Sequence, residues 1–297
     1  MIQVTVPATT ANLGPGFDTL GMALDIEAVF TFERAETLQI SGCPECYCNE
    51  NNLVWKSYCH CFEHYRQTPV PLKIHIDSPI PPSRGLGSSA ACIIAGLLAA
   101  ARIMDQNVSD LDLLTLACEI EGHPDNVTPA LLGGLKSAAI EEDCLLTADF
   151  NVSDRIRFAA LIPDFPLETE KARQCLPEMI SHKEAVQALG KLALLLKGLE
   201  SGDETLLHAS MNEPLHEPYR IPLIDEFEDV RQLCLDLQAA SVVISGSGPT
   251  ILAIFIDNVP VDALNMKLAS LKHSWKLVPC TLQSRGAKVE VKEEDHE

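Results

Sequence analysis

Pro81-Pro82-Ser83-Arg84-Gly85-Leu86-Gly87-Ser88-Ser89-Ala90-Ala91 is the stretch on which the reading of this chain turns. Its glycines permit close backbone approach and a left-handed φ. Its serines open a small, apolar, unbroken run from Ser88 to about Met104, which predicts a buried helix. The first turn of a helix offers free N–H groups and the positive end of the dipole, so an anion fits there. Arg84 adds a cation, and the stretch reads as a phosphate cradle. It is not a Walker A loop, because no Gly-Lys-Ser/Thr follows. The G-x-G-x-x-A spacing also fits a dinucleotide fingerprint, but that motif needs a strand directly before it. Pro79, Pro81 and Pro82 stand there instead.

On the N-terminal side, residues 2–6 alternate and are β-branched, which predicts a strand. A loop holding Asn12, Gly14, Gly16 and Asp18 follows. Two short strands are expected within 28–40, then a helix over Leu53–Tyr65. Leu72, Ile74 and Ile76 alternate with Lys73, His75 and Asp77, a half-buried strand. Beyond the cradle come a helix at Asp110–Glu121 and strands at Gly134–Ile140 and Arg157–Ile162. The second half offers helices at Glu184–Leu199, Glu204–Leu215, Ile224–Ala240 and Val261–Leu271. Its strands are Val242–Ser245, Ile251–Ile256 and Lys276–Leu282, and Val289–Glu297 reads as a charged, frayed tail. Without strict βαβ alternation the class is α+β. A length of 297 residues suits two domains, 1–155 and 156–297, divided at the polar Asn151–Arg155.

Composition narrows the partners. Lys and Arg number 22 against 42 Asp and Glu, a net charge of −20, which repels nucleic acid and anionic lipid. An anionic ligand must then be held by backbone N–H groups, a metal and a few placed cations. The start, MIQVTVPATT, lacks the basic and apolar regions of a signal peptide. The run Ala90–Ala101 is about half of a membrane span, so a soluble, cytoplasmic protein is expected. The 11 cysteines fit reduced thiols. Cys43, Cys46, Cys48, Cys59 and Cys61, with His60 and His64, loosely resemble a zinc site, but the second cysteine pair lacks the usual two-residue gap.

Two further segments carry chemistry. Ser245-Gly246-Ser247-Gly248-Pro249-Thr250 is a small-residue turn between two apolar strands. Glu119 and Glu121, followed by His123, Asp125 and Asn126, put two acids at i and i+2, which do not share a helix face; at most one points at a site. A carboxylate and a hydroxyl suit Mg²⁺, which keeps phosphate oxygens as its other ligands.

Together, VPATTANLGPGFDTLG (6–21), PPSRGLGSSAA and ISGSGPT resemble the three motifs of the GHMP kinase superfamily, in order and spacing. Within it, EIEGHPDNVTPALLGG (119–134), TEKAR followed by LP (169–173, 176–177) and NEPLHEPYR (212–220) resemble the homoserine kinase family. The resemblance implies an N-terminal domain like domain 2 of ribosomal protein S5 and a ferredoxin-like C-terminal domain, with the site between them. It implies ATP phosphates on Pro81, Pro82, Ser83, Arg84, Gly85, Leu86, Gly87, Ser88, Ser89, Ala90 and Ala91. It assigns Mg²⁺ to Ser89 and Glu121, catalysis to Asp125 and Asn126, and the amino-acid substrate to Asn12, Asp18, His123, Thr169, Arg173 and Arg220. Asp125 stays open between base and substrate ligand. The implied reaction is phosphorylation of the L-homoserine hydroxyl in threonine biosynthesis, by a homodimer. Glu168 and the cysteine cluster have no counterpart in the family pattern.

Overall fold

The computed structural model describes residues 1–141 and 144–292, and two sheets organise them. The chain runs β1 (Ile2–Asn12), β2 (Gly16–Arg34), β3 (Gln39–Ser41), α1 (Leu53–His64), β4 (Leu72–Asp77), α2 (Ser88–Ile103), α3 (Asp110–Glu121), α4 (Pro124–Leu132), β5 (Leu135–Glu141) and β6 (Cys144–Phe150). It continues with β7 (Ile156–Pro163), α5 (Thr169–Gln174), α6 (His182–Ser201), α7 (Glu204–Ser210), α8 (Glu217–Arg220), α9 (Phe227–Asp236), β8 (Ser241–Ile244), β9 (Ile251–Ile256), α10 (Val261–Leu268), β10 (Trp275–Cys280) and β11 (Lys288–Val291).

The first sheet has seven strands. Its main path is β11-β1-β2-β4-β3, and β5 pairs β2 while β6 pairs β5. Of the two short strands expected within 28–40, one is β3 and the other is the end of β2, a 19-residue strand that changes partners midway: Leu20–Met22 face β5 and Val29–Arg34 face β4. The expected loop holding Asn12, Gly14, Gly16 and Asp18 is for the most part a strand pair. β1 runs on to Asn12 and β2 starts at Gly16, leaving a tip of three residues. The Pro7/Ala8 bulge lets Pro7 sit in a strand despite its missing N–H.

α2 lies behind the first sheet with Ala90, Ile93, Ile94 and Leu97 wholly buried. Burying each large aliphatic contributes roughly 1.5–3 kcal/mol before chain entropy is counted. α3 keeps its expected bounds because Ser109 accepts the Asp112 N–H at its start and Gly122 turns left-handed at its end. α4 was not expected; Pro124 occupies its first helical turn, where no donor is needed.

The second sheet is antiparallel in the order β10-β7-β9-β8, and the chain order β7, helices, β8, β9, α10, β10 is that of a ferredoxin-like layer. β7 is buried on both faces: Phe158, Ala160 and Ile162 join the core shared with the first sheet, and Ala159 and Leu161 pack with α9 and α10 residues such as Val230 and Leu264. The expected frayed tail is corrected for its first part, because β11 pairs with β1 at the edge of the first sheet; residues 293–297 of that tail lie outside the described residues. The first sheet therefore takes strands from both sides of residue 155. No described helix is long and apolar enough to cross a membrane.

Candidate active site

A cavity of about 380 Å³ lies where the cradle, the β1–β2 tip, the start of α4, α5 and the 245–250 turn meet. Gly87 caps α2 at φ +69°, and a side chain there would begin 1.9 Å from Thr9 Oγ1, so only glycine brings the loop this close to β1. Pro82, Ser83, Arg84, Gly85, Gly87, Ser88 and Ser89 line the cavity. Four residues of the expected cradle do not. Leu86, Ala90 and Ala91 point into the core, and Pro81 lines a separate cleft behind the loop. The Arg84 head group is also committed elsewhere: Nε donates to Pro163 O at 3.1 Å and Nη2 to Asp164 O at 3.0 Å, clamping the loop to the end of β7.

Ser89 Oγ donates to Glu121 Oε1 at 2.6 Å, so the first turn of α2 and the last turn of α3 meet at a hydroxyl and a carboxylate. Burial pushes the Glu121 carboxyl above its usual range, against the bond from Ser89 and the His123 charge. A cation would compensate that buried charge, and two hard oxygens suit Mg²⁺. Glu119 points the other way, to His60 on α1, at 2.9 Å and half-exposed. The geometry thus separates the two acids.

Asp125 sits in the first turn of α4, 2% exposed. Gly21 makes room for it: a Cβ on Gly21 would lie 1.6 Å from the Asp125 carbonyl oxygen. His123 Nδ1 and Asn126 Nδ2 both bond Asp125 Oδ1, and Thr9 Oγ1 holds Asn126. For His123, burial lowers the pKa, but the bond to Asp125 and the Asp125 and Glu121 charges outweigh it, for a net rise.

Asn12 Nδ2 donates to Gly246 O at 2.7 Å, and Asn12 Oδ1 accepts the Asp18 N–H at 2.9 Å. Asn12, Leu13 and Asp18 all have left-handed φ angles of 66°, 47° and 52°. Leu13 has no side-chain group to favour that conformation, a cost on the order of 1 kcal/mol or more that the surrounding packing must hold. Thr169 Oγ1 lies 3.2 Å from Ser247 Oγ at the cavity wall.

The two arginines differ. Arg173 makes a two-pronged ion pair with Asp18, at 2.8 and 2.9 Å, and about a third of each side chain is exposed. Its fork is therefore paired with an acid that the resemblance also assigns to the amino-acid substrate. Arg220 is 1% exposed and has no acid partner among the described residues. Its Nε donates to Ala172 O at 3.1 Å and its Nη1 to Gly246 O at 3.2 Å; the residue lines the cavity, and no partner of Nη2 is described. Burial, then the like charge of Arg173, lower its pKa from the usual arginine value.

Sequence reasoning singled out no role for Phe17, His216 or Ser247, although all three lie inside quoted motifs. Phe17 lies under both guanidinium groups, 5.9 Å from Arg173 and 5.2 Å from Arg220. Cys43 and Cys92 also line the cavity, and Cys43 Sγ is 3.6 Å from Cys48 Sγ. All the cysteines are free thiols, and among the described residues no three His, Cys, Asp or Glu side chains gather as a metal site.

A glycine-turned loop on a helix N-terminus, facing a serine–glutamate pair and a cationic pocket between two sheet layers, defines a small-molecule kinase of the GHMP class. Two family models match in agreement: GHMP kinases N terminal domain over 52–134 and GHMP kinases C terminal over 195–268. A homoserine kinase of Clostridium botulinum (strain Okra / Type B1) is 40% identical over 292 residues, 97% of this chain and 98% of the relative. The crystal structure of homoserine kinase from Cytophaga hutchinsonii superposes with a TM-score of 0.84 at 30% identity, covering 97% of each chain. L. major mevalonate kinase in complex with R-mevalonate, at 18% identity, TM-score 0.72 and coverage of 94% and 95%, shares the fold. The chain belongs to the homoserine kinase family.

Proposed function

We propose that this chain transfers the γ-phosphoryl group of ATP to the side-chain hydroxyl of L-homoserine, giving O-phospho-L-homoserine for threonine biosynthesis. The observation that carries the reading is Arg220: a buried guanidinium with no acid partner among the described residues, lining a cavity in which Asp18 and Arg173 already form a pair. An α-amino acid brings a carboxylate and an ammonium. The carboxylate satisfies Arg220 Nη2 and competes for Arg173, while the ammonium takes Asp18 in its place. The hydroxyl then reaches the inner part of the cavity, where Asp125 Oδ2 accepts its hydrogen and Asn126 and His123 hold Asp125 in place.

The ATP phosphates are held at the N–H groups of Gly87, Ser88 and Ser89, and Ser89 and Glu121 would hold Mg²⁺. That ion supplies charge neutralisation on the phosphates, the main demand of phosphoryl transfer. The site falls between the expected units 1–155 and 156–297, although β11 of the second returns to the sheet of the first. The exposed apolar side chains Met179, Val186 and Leu189 support a homodimer, and 11 unpaired thiols support a cytoplasmic setting.

The test is coupled ADP release with ATP and a panel of L-homoserine, mevalonate and galactose. Turnover confined to L-homoserine supports the reading; equal or better turnover of mevalonate or galactose overturns it.

A further inference from the structure

The segment 212–220 contains more buried ionisable chemistry than substrate contact requires. Glu213, His216, Glu217 and Arg220 are all 3% exposed or less. Glu213 accepts the N–H groups of Leu215, His216 and Glu217, and Glu217 accepts the Ile244 N–H at the end of β8. The segment is thus fastened to the turn that carries Gly246.

His216 is 0% exposed and does not line the cavity. Its Nε2 lies 2.9 Å from Gly14 O in the β1–β2 tip, and its Nδ1 lies 3.4 Å from Arg220 Nη1. A carbonyl only accepts and a guanidinium only donates. A neutral ring with its proton on Nε2 satisfies both at once. Burial and the Arg220 charge drive the His216 pKa down to about 3, which keeps the ring neutral. The ring also stacks on Phe17, at 5.3 Å and 30°, and Phe17 in turn underlies Arg220. Glu213 Oε1 is 3.7 Å from Nε2, beyond bonding distance.

We propose that His216 is a positioning residue: by bonding Arg220 on one side and the Gly14 turn on the other, it aims the Arg220 guanidinium at the substrate carboxylate and sets the register of the tip that leads into Asp18 at the start of β2. The proposal rests on the reading of Arg220 as the carboxylate ligand. It places selectivity for an amino acid over a plain amino alcohol partly in a side chain that never meets the substrate.

The experiment separates the two ring nitrogens. His216→Gln places an amide donor near the Nε2 position and loses the acceptor for Arg220; His216→Asn keeps an acceptor near Nδ1 and loses the Gly14 bond. The expected result for His216→Gln is a KM for L-homoserine raised about tenfold, with the KM for ATP unchanged. His216→Asn recovers most of that loss. For 3-aminopropan-1-ol, which lacks the carboxylate, His216→Gln changes little. The double variant His216→Gln with Arg220→Met is no worse than Arg220→Met alone, because both act on one contact. If His216→Gln does not fold, His216→Phe, which keeps the stacked ring, takes its place in the same cycle.

Additive losses in the double variant, or equal losses on both substrates while Arg220→Met stays selective, overturn the role of His216 and leave Arg220 standing. Equal losses on both substrates from Arg220→Met overturn the carboxylate reading and this inference with it.

Discussion

Glu121→Gln is the sharpest test of how the cradle works. The glutamine carbonyl can still accept the Ser89 hydroxyl now seen at 2.6 Å, so the local bond survives and only the charge is lost. If that charge holds the metal against the phosphates, kcat falls by a factor of about 10² or more, equivalent to ~2.7 kcal/mol or more of transition-state stabilisation. Stability moves the other way. Burial raises the Glu121 pKa, so ionised Glu121 is a cost to the folded chain at neutral pH, and the amide removes it. A melting temperature equal to or above wild type is expected. Glu119→Gln is the control: its partner His60 is half-exposed, the pair is worth under about 1 kcal/mol, and kcat should change by less than about twofold. Coupled ADP release across a Mg²⁺ titration, with thermal melts of each variant, gives both numbers. Equal losses from the two substitutions, or a lowered melting temperature that tracks the lost activity of Glu121→Gln, would refute the reasoning.

Arg220→Met should lower kcat/KM for L-homoserine roughly 10- to 100-fold, the loss of about 1.5–3 kcal/mol from a charged hydrogen bond, and Arg173→Met somewhat less because Asp18 already shares it. The KM for ATP should hold in both, and an equal loss on 3-aminopropan-1-ol would show that neither arginine reads the carboxylate. Burial pushes the Glu217 carboxyl up to about 7, so the folded chain binds more protons than the unfolded one between about pH 4.5 and 7, and Glu217 costs stability progressively over that window. Glu217→Gln should therefore gain on wild type in chemical denaturation as pH rises to about 7 and then level off; a gap independent of pH would remove the buried carboxylate from the explanation. Gly21→Ala drives a methyl group into the Asp125 carbonyl and should cost about 1–3 kcal/mol in urea unfolding together with activity; a fully active, equally stable variant would mean that α4 moves freely against β2.

The local parts of the fold were the legible ones. α3 announced both ends through Ser109 and Gly122, and β4 through a strict alternation of period two. α4 hid because Pro124 and Pro129 look like breakers, whereas the first sits where a helix needs no donor and the second is packed against the sheet. The 12–16 tip hid because its turn formers read as a loop, although the backbone pairs up to Asn12 on one side and from Gly16 on the other. At the site, residue types and order pointed to the cradle and to Glu121 or Glu119, but only packing separates the two acids. The Arg173–Asp18 pair spans 155 residues, and no spacing rule connects positions so far apart. His216 escaped in part for the same reason: Arg220 is at helical i+4 spacing, but Gly14 comes from the first strand pair, and only the fold brings it to the ring.

The pairing of Ile2 with Val291 has a consequence for how the chain is made. Synthesis runs from the N-terminus, and domains generally begin folding in that order. β1 emerges first, yet its outer neighbour emerges only after both sheets have been translated. Until then β1 presents a row of free backbone donors and acceptors, the kind of edge that recruits other chains. A nascent chain stalled between the end of α2 and residue 288 would carry the glycine-turned loop beside an adhesive edge. The closing strand, which touches no part of the cavity, covers β1 and leaves a short, charged strand, Lys288–Val291, as the edge in its place.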